Sequence, residues 1–346
     1  MAGPVRVALV GCGFFARNHL FSWKDLAAEG VELVAVCDID AAKAKAAAAE
    51  FGVPHWYADF DAMIAAEKID LIDIVTRMDT HRALVEKTIA RGIATIVQKP
   101  FAPTWDDAVA MTRAAEKAGV FLAVHENFRF QTPLIKVAEA VRSGVIGAPS
   151  WARISFRTGY DLYKTQPYFY NEERFILLDL GVHTLDIARV MMGEAEHLYA
   201  ETQTRNPKVR AEDTATVLIR HVSGAVSVVD FSYESRKLPD PFPESLLEIE
   251  GPNGAIVVEA GLTMRVTVGS DSRVEDIGAP LLPWTSRPWH VAQESVLITC
   301  RHLLNAYRAG RPAEISAVDN LKTYALAEAA YESAATGRAV KPRVYA

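Results

Sequence analysis

The first 124 residues alternate short apolar runs with helix-forming stretches, and this alternation constrains the fold more than any other feature of the chain. The runs VRVALV (5–10) and VELVAVCD (31–38) are rich in β-branched residues, which is typical of strands buried on both faces. The stretch AAKAKAAAAEF (41–51) is a strong helix former. Alternation of this kind predicts parallel βαβ units, and therefore an α/β domain with a doubly wound parallel sheet over residues 1–124.

The pattern changes after about residue 150. A helical segment near 174–192 is followed by stretches in which apolar and polar residues alternate, such as ATVLIRHV (215–222). A period of two is typical of strands with one solvated face, and turn signals separate these stretches. Residues 125–346 are therefore predicted to form an α+β domain with a large, mostly antiparallel open sheet. A closing helix at about 316–336 is expected to pack back on the first domain.

Composition sets the broad class of the protein. The chain has 346 residues, enough for two domains, of which 23% are charged, and its net charge is −6. A mildly acidic chain without Lys/Arg-rich blocks is a poor candidate for binding nucleic acid or an anionic membrane. No apolar run reaches the ~18 residues of a membrane span, and the N-terminus lacks the features of a signal peptide. Three cysteines with no Cys-x-x-Cys pair predict no disulfide framework and no metal site, so a reduced, cytoplasmic, globular protein is expected.

A glycine-rich turn joins the first strand to the following helix. The segment Gly11-Cys-Gly13-Phe-Phe-Ala16 fits the dinucleotide-binding pattern G-x-G-x-x-G/A. The first glycine is needed for a tight turn, the second lets the backbone approach a pyrophosphate, and the small third residue allows close helix packing. The N–H groups of the helix N-terminus then face the phosphates. This context predicts a Rossmann domain, with cofactor contacts at Gly11, Cys12, Gly13, Phe14 and Phe15.

An acidic residue ends the second strand at the spacing that dinucleotide binding requires. Asp38 lies 22 positions after Ala16 (38 − 16), close to the ~20 residues expected for a ribose-binding acid. A carboxylate accepts from the 2′-hydroxyl of NAD and repels the 2′-phosphate of NADP, and Asp38 is followed by Ile39 and Asp40 rather than by an arginine. The first domain is therefore predicted to bind NAD. The alternative is a tight turn followed by an aspartate that caps a helix.

Four further segments carry polar residues in a specific order. They are Thr76-Arg-Met-Asp-Thr-His81, Gln98-Lys99-Pro100, His125-Glu-Asn127-Phe-Arg129-Phe and Asp179-Leu-Gly181-Val-His183-Thr-Leu-Asp186. Over nearly the whole chain, these segments resemble the Gfo/Idh/MocA oxidoreductase family, which has at these places a loop ending in His beside the nicotinamide, Glu-Lys-Pro, Asn-x-Arg and D-x-G-x-H-x-x-D. The resemblance implies further cofactor contacts at Thr76, His81, Gln98, Lys99 and Asn127.

The resemblance also implies an activity. The stretches 174–194 and 212–244 look most like the D-apiose dehydrogenase branch of the family. The implied enzyme is an NAD-dependent dehydrogenase that oxidises a sugar or polyol hydroxyl, either an aldose such as apiose at C1 to a lactone or an inositol to a ketone. Two alternatives stay open: a catalytically inert NAD-binding regulator, and an NAD-dependent, redox-neutral glycoside hydrolase on the same fold.

Oxidation of a hydroxyl group needs a base for its proton and a cation near its oxygen, besides the hydride acceptor that NAD supplies. His183 is the predicted base, because an imidazole titrates near neutral pH. Asp179, four positions earlier and so on the same helical face, is predicted to orient His183 or to bind a substrate hydroxyl. Lys99, at the carboxyl end of a strand, is predicted to polarise the oxygen. Matching residues have comparable roles in the family, whereas Asp186 is interpreted as structural, a cap or a partner of Arg189.

Substrate contacts are predicted from residue chemistry in the second domain. Arg157 and Tyr160 lie in the predicted loop Arg157-Thr-Gly-Tyr-Asp-Leu-Tyr163, and such side chains suit sugar hydroxyls and apolar sugar faces. The alternative is a solvated loop with packed aromatic residues. The predicted substrate-binding residues are Lys99, Arg157, Tyr160, Asp179 and His183.

Gln98 departs from the glutamate that precedes the lysine in the family. Glutamine keeps the size and can still bind a nicotinamide ribose, but it removes a negative charge beside Lys99. We expect this change to weaken the stabilisation of the Lys99 cation.

The open sheet of the second domain leads to a prediction about assembly. An exposed apolar sheet face invites association. A homodimer or homotetramer built through the C-terminal sheet is therefore predicted, with a small-molecule sugar or polyol as the substrate partner.

Overall fold

The computed structural model describes residues 3–346, which form two compact units. The first contains the chain up to Glu126 together with Val296–Leu321. The second contains mainly Asn127–Ser295 and Lys322–Val344. The N-terminal part of the first unit ends two residues beyond the predicted boundary. The assignment of cofactor binding to one domain and substrate binding to the other stays a prediction.

In the described part of the first unit, six parallel strands form a sheet in the order β3-β2-β1-β4-β5-β6. The order reverses between β1 and β4, and this switch point is where ligands bind in doubly wound sheets. All residues of β4, β5 and β6 are buried, as the apolar runs predicted. The predicted doubly wound fold is confirmed. The strands are β1 (Val5–Val10), β2 (Val31–Cys37), β3 (His55–Tyr57), β4 (Leu71–Ile74), β5 (Ala94–Gln98) and β6 (Leu122–His125).

The helices of the first unit begin and end at residues with clear local causes. Asp40 accepts hydrogen bonds from the first turn of the alanine-rich second helix, and Thr104 does the same for the fifth. Gly52 and Gly119 end these two helices in the left-handed conformation, at φ values of 70° and 64°. The helices are α1 (Ala16–Asp25), α2 (Ala41–Phe51), α3 (Phe60–Ala66), α4 (Met78–Ala90) and α5 (Trp105–Ala118).

Residues 296–321 join the first unit, although the sequence analysis placed them in the second domain. The physical reason is the open edge of β6, where the N–H of Val124 donates to the carbonyl of Ile315 at 3.0 Å. Two long helices flank this pairing, α8 (His290–Arg308) and α9 (Ala317–Thr336). The sequence analysis predicted α9 and missed α8. Among the helices of residues 3–346, none combines the length and the apolar content that a membrane crossing requires.

The second unit is built on a large sheet, in which eight strands of the described residues follow the order β14-β13-β12-β11-β7-β10-β9-β8. Only the pair β7 and β10 is parallel among these strands, so the predicted mostly antiparallel sheet is confirmed. The sequence analysis missed β7, β8 and β14: polar residues obscure the pattern in β8 and β14, whereas WARISFR of β7 alternates clearly and could have been predicted. The strands are β7 (Trp151–Arg157), β8 (Ala195–Gln203), β9 (Thr214–His221), β10 (Val226–Ser232), β11 (Leu246–Gly251), β12 (Gly254–Glu259), β13 (Thr263–Val268) and β14 (Asp271–Asp276).

Two helices of the second unit, α6 (Thr132–Arg142) and α7 (Val182–Met192), complete its described core. A buried carboxylate anchors α7. Asp186 accepts hydrogen bonds from Arg129 at 2.7 and 2.5 Å and from the Thr323 hydroxyl at 2.7 Å. Its predicted partner Arg189 lies farther away, at 3.5 Å. Burial acts to raise the pKa of Asp186, but the Arg129 and Arg189 guanidinium groups outweigh it and hold that pKa below its usual value.

We predict that Asp186→Asn destabilises the second unit by about 3–5 kcal/mol, because it leaves the Arg129 charge buried without its partner. Chemical denaturation at neutral pH measures the loss. A carboxyl group with a lowered pKa stabilises the fold above its unfolded pKa of about 3.9, and this contribution disappears as the pH falls through the folded pKa. The difference between wild type and variant should therefore shrink in acid.

The control is Glu173→Gln, which removes an exposed ion pair with Arg210, where the side chains are 74% and 65% exposed. This change should alter stability little. Equal effects of the two substitutions would refute the anchoring role of Asp186.

Candidate active site

The turn after β1 brings Gly11 against the end of β4. Gly11 has a φ of 91°, and a Cβ on it would lie 2.7 Å from the carbonyl oxygen of Val75 and 2.9 Å from Cγ2 of Thr76. Glycine is therefore the residue that fits this turn. Gly13 is exposed, and a Cβ placed there would meet no atom of the described chain within 4 Å. The first glycine makes the tight turn, and the second leaves the backbone accessible to a phosphate.

The N-terminus of α1 differs from those of α2 and α5. Its N-cap residue is Phe15, whose side chain has no atom that can accept a hydrogen bond, whereas Asp40 and Thr104 cap their helices through side-chain oxygens. The first N–H groups of α1 are therefore left for an anion, as the phosphate-binding pattern requires. Phe14 is 54% exposed, and Phe15 packs edge-on against the ring of His19 at 5.7 Å.

The backbone of the glycine-rich turn after β1 binds the Asp38 carboxylate. One oxygen of Asp38 accepts the N–H of Cys12 at 2.7 Å, and the other accepts the N–H of Asp40 at 2.8 Å. The end of β2 is thus tied to the turn after β1, and the remaining lone pairs of the carboxylate can accept ribose hydroxyls. Burial raises the pKa of Cys12 to about 12 and that of Cys37 to about 11, so both thiols stay protonated at neutral pH.

Thr76 and His81 lie in the segment that leads from β4 into α4. The hydroxyl of Thr76 accepts from that of Thr80 at 2.7 Å. The buried ring of His81 has Nε2 at 3.1 Å from the carbonyl oxygen of Thr76 and Nδ1 at 3.1 Å from that of Phe101. Burial lowers the pKa of His81, although the backbone carbonyls oppose this. The imidazole therefore links the loop after β4 with the loop after β5, which carries Lys99.

Gln98 ends β5, and its side chain turns into the protein, where it is 6% exposed. Its Nε2 lies 3.0 Å from Nε2 of His19, and its Oε1 accepts the backbone N–H of Lys99 at 2.7 Å. Nδ1 of His19 in turn lies 2.7 Å from the carboxylate of Asp73. Lys99 is half-buried at the carboxyl end of the sheet, the edge where ligands bind in this fold.

The second unit carries Asp179 and His183 on one continuous helical segment. Asp179 lies in a single π-helical turn, Leu177–Gly181, which runs directly into α7. Such turns are rare in proteins, and a large share of those that occur lie at functional sites. His183 is 4% exposed, and its ring stacks on Phe128 with 3.8 Å between centroids and 5° between planes. The stack fixes the plane of the imidazole.

A tyrosine holds the carboxylate of Asp179. The hydroxyl of Tyr233 donates to Asp179 at 2.8 Å. Burial, reinforced by the charge of Asp179, raises the pKa of Tyr233 well above its usual value, so the phenol remains a donor. Tyr233 also packs on Phe175, with 5.7 Å between ring centroids. Phe175 belongs to a buried cluster with Leu162, Tyr163, Phe169, Val209 and Ala211.

Tyr160 belongs to a row of aromatic contacts that leads to His183. Its ring stacks on Phe242 at 4.2 Å and meets Trp289 edge-on at 5.4 Å. Phe242 contacts Phe156 at 6.4 Å, and Phe156 contacts Phe128, the ring that stacks on His183, at 6.0 Å. The structure thus connects Tyr160 with the predicted base through packed rings.

Arg157 lies on the other face of the sheet. The sequence analysis expected a loop here, but Arg157 is the last residue of β7 and alternates with the buried Phe156. Its guanidinium is 3.7 Å from the carboxylate of Asp230, which also accepts from Arg153 at 3.1 Å and from Ser155 at 2.8 Å. Because neighbouring strand residues point to opposite faces, the structure does not bring Arg157 to the side of the sheet on which Phe156 packs.

Asn127 lies just after β6 and is 2% exposed. Its Nδ2 donates to the Ser295 hydroxyl at 2.7 Å and lies 3.5 Å from the carbonyl oxygen of Ala292. Both partners belong to α8, so the amide attaches the segment after β6 to this helix. The cofactor contact of Asn127 stays a prediction.

Sequence reasoning missed four residues that hold the predicted ones: His19, Asp73, Phe128 and Tyr233. For Asp73 a signal existed, because an acid inside the apolar run LIDI must be bonded if the strand is buried. His19 gave no such signal, since its partner Asp73 lies 54 residues away. Phe128 lies in the segment His125-Glu-Asn127-Phe-Arg129-Phe, where the polar residues carried the prediction.

The strand order, the glycine turn and the carboxylate of Asp38 beside it are those of a dinucleotide-binding Rossmann domain, and a second unit built on a large sheet follows, with Asp179 and His183 on one helical segment. Residues 5–126 match the family described as "Oxidoreductase family, NAD-binding Rossmann fold". Residues 134–257 match the "GFO/IDH/MocA C-terminal domain". The chain belongs to the Gfo/Idh/MocA oxidoreductase family, as its motifs predicted, and is an NAD-dependent oxidoreductase.

Relatives of known name cover nearly the whole chain. The D-apiose dehydrogenase of Rhizobium rhizogenes is 46% identical over 333 residues, which are 96% of each protein. That of Paraburkholderia graminis is 46% identical over 334 residues, 96% of this chain and 88% of that protein. An oxidoreductase from Agrobacterium radiobacter, solved with NAD+, L-tartaric acid and magnesium, has a TM-score of 0.95 at 46% identity and covers 97% of this chain and 98% of its own. The predicted fold, family and cofactor are confirmed.

We predict that Asp38→Asn weakens NAD binding by about tenfold to hundredfold, since a hydrogen bond to a charged group contributes about 1.5–3 kcal/mol. The amide cannot accept at both of its atoms, so one backbone N–H loses its partner. The preference for NAD over NADP should narrow as well, because the charge that repels a 2′-phosphate is gone. Titration with both cofactors measures the two effects.

Asp59→Asn is the matched control, because Asp59 caps α3 by accepting the N–H of Ala62 at 2.6 Å. The Asp59 variant should leave the ratio of the affinities for NAD and NADP unchanged. Wild-type NAD affinity in the Asp38 variant would remove Asp38 from the cofactor site.

Proposed function

We propose that the protein oxidises the C1 hydroxyl of D-apiose, or of a closely related aldose, to the lactone, with NAD+ as oxidant. The observation that carries this proposal is 46% identity with D-apiose dehydrogenases over 96% of the chain. The presence of Lys99, Asp179 and His183 at the family's motif positions supports an active enzyme. The overall change is aldose and NAD+ to lactone, NADH and one proton. When bound, NAD+ supplies the acceptor for the hydrogen that leaves C1 as hydride.

The residues around the glycine-rich turn after β1 fit this cofactor. The open backbone at Gly13 and the uncapped start of α1 would hold the pyrophosphate, and the Asp38 carboxylate would hold ribose hydroxyls. Thr76 follows β4 and Gln98 ends the neighbouring β5, so both lie at the carboxyl edge of the sheet. His81 and Asn127 are proposed to act through the segments they hold, since both side chains are buried against backbone or helix partners.

Three side chains carry the proposed chemistry. His183 takes the proton of the C1 hydroxyl on a nitrogen of its imidazole, whose plane is fixed by the stack on Phe128. Asp179, held by Tyr233, binds a neighbouring sugar hydroxyl or orients His183. The ammonium group of Lys99 stabilises the negative charge that develops on the oxygen as its proton leaves. Tyr160 is proposed to offer its ring to an apolar face of the sugar.

We predict that purified protein with NAD+ forms NADH with D-apiose faster than with other aldoses, inositols or glycosides. NADP+ should be the poorer oxidant, because Asp38 repels the 2′-phosphate. Absorbance of the reduced cofactor across this panel measures both expectations. Cleavage of a glycoside without accumulation of NADH would favour the hydrolase instead, and tight NAD binding without any turnover would favour the regulator.

His183→Asn is the variant to accompany the panel. It should lower turnover by about 10²- to 10⁴-fold, the usual contribution of a general base, and leave NAD affinity unchanged. His197→Asn is its control, because this imidazole is 43% exposed on β8. An active His183 variant would remove His183 from the role of base.

We further propose that two or four copies associate through the sheet of the second unit. Tyr199, Leu218 and Val228 lie opposite one another on β8, β9 and β10, on the face away from the buried residues. Leu218 is 46% exposed. Three adjacent apolar side chains on an open sheet face are a suitable centre for an interface.

Light scattering should therefore give the mass of a dimer or tetramer. Leu218→Arg should lower that mass, because it places a charge in the centre of the interface. Val222→Glu, in the turn after β9 and 71% exposed, should leave it unchanged. A monomeric wild type would contradict this assembly.

A further inference from the structure

A buried carboxylate lies inside the parallel sheet of the first unit. Asp73 is 0% exposed in β4. Its Oδ2 accepts the N–H of Trp23 at 2.7 Å and lies 2.7 Å from Nδ1 of His19. Two N–H groups at 2.7 Å from one buried carboxylate oxygen stabilise the ionised form of Asp73 against the cost of burial. The group is therefore an ion in the interior, and its partners must compensate it.

The partners of His19 determine where its proton lies. Nδ1 faces a carboxylate, which only accepts hydrogen bonds, so Nδ1 carries a hydrogen. Nε2 faces the amide nitrogen of Gln98 at 3.0 Å, which donates, so Nε2 must accept. The orientation of this amide is set at its other end, where Oε1 accepts the N–H of Lys99 at 2.7 Å. His19 is therefore neutral, with its single ring hydrogen on Nδ1.

Other titratable groups also face this imidazole. The ring of His125, from β6, lies 4.3 Å from that of His19, and Sγ of Cys300, from α8, lies 3.7 Å from Nε2 of His125. Burial raises the pKa of Cys300 well above its usual value, so the thiol stays neutral. The donors of these three residues lie within 4.8 Å of one another, as in a transition-metal site. Both nitrogens of His19 already have partners in Asp73 and Gln98, so hydrogen bonding accounts for this arrangement without a metal.

We propose that Asp73 and His19 are positioning residues for Lys99, acting through the amide of Gln98. The three side chains form what we call the inner relay (Asp73, His19 and Gln98), which runs from the middle of β4 to the backbone N–H of Lys99. By fixing this N–H, the inner relay fixes the direction in which the Lys99 side chain leaves β5. The inference rests on the proposed function, because it is there that Lys99 stabilises charge on the reacting oxygen.

The inner relay also gives a reason for glutamine at position 98. A glutamate there would accept rather than donate at Nε2 of His19, so the imidazole would take up a second proton. The added carboxylate and the added proton cancel, and the net charge beneath Lys99 is the same in both cases. On this proposal Gln98 leaves the net charge beneath Lys99 unchanged, whereas the sequence analysis expected it to remove a compensating charge. The negative charge stays on Asp73, farther along the relay.

The protonation of His19 can be tested without substrate. In wild-type protein labelled with ¹⁵N-histidine, NMR at neutral pH should show His19 neutral, with its hydrogen on Nδ1. In Gln98→Glu the same imidazole should be doubly protonated. The resonance is assigned by its loss in His19→Gln. Because this measurement needs no turnover, it stands apart from any failure of the apiose assignment.

Kinetics with the best substrate then tests positioning. His19→Gln keeps an acceptor for the Gln98 amide, so kcat should stay within about threefold of the wild-type value. His19→Asn keeps only a donor towards Asp73, so kcat should fall by about tenfold to hundredfold. NAD affinity should change by less than about threefold in both variants. Trp23→Phe is the control, because it removes the other hydrogen bond to Asp73 and should lower the melting temperature without changing kcat by more than about threefold.

Three results would overturn the proposal. One is a doubly protonated His19 in the wild type. Another is an equal loss of kcat in the glutamine and asparagine variants of His19, which would indicate packing alone. The third is a stoichiometric transition metal in the purified protein that disappears in His19→Gln, since Nε2 cannot bind a metal and accept from Gln98 together.

Discussion

The close approach of Gly11 to the carbonyl of Val75 is the contact on which the cofactor half of the protein depends. It is possible because β1 and β4 are neighbours at the switch point of the sheet and because Gly11 has no Cβ. The turn that results places the N–H of Cys12 on the Asp38 carboxylate and leaves Gly13 open. A side chain at position 11 would displace the N–H of Cys12 and the backbone of Gly13, and with them the start of α1.

Buried acids with distant partners recur in both units. Asp73 is bound by His19 and Trp23, 54 and 50 residues away in the chain, and it supports the segment that carries Lys99. Asp186 is bound by Arg129 and Thr323 and anchors the helix that carries His183. In each case a charge that would be costly alone is compensated by donors from other elements. The acid then fixes the segment from which a side chain of the proposed chemistry projects.

Aromatic packing has the corresponding role around the predicted base. Phe128 stacks on His183, and the rings of Phe156, Phe242 and Tyr160 continue from it. Ring contacts of this kind add to the energy of burial and restrict ring rotation. The imidazole therefore has a defined plane before any ligand arrives, which a general base needs if its nitrogen is to meet the hydroxyl proton.

The sequence by itself determined the elements whose signals are local. Gly11 and Asp38 stand out because dinucleotide binding requires a fixed spacing, and the parallel sheet follows from apolar runs that alternate with helices. Only the tertiary structure decided which face Arg157 occupies, what binds Asp73 and how residues 296–321 join the first unit. These features depend on pairings between residues far apart in the chain, such as Val124 with Ile315. Local composition carries no record of such pairings, because they arise when strands and helices pack.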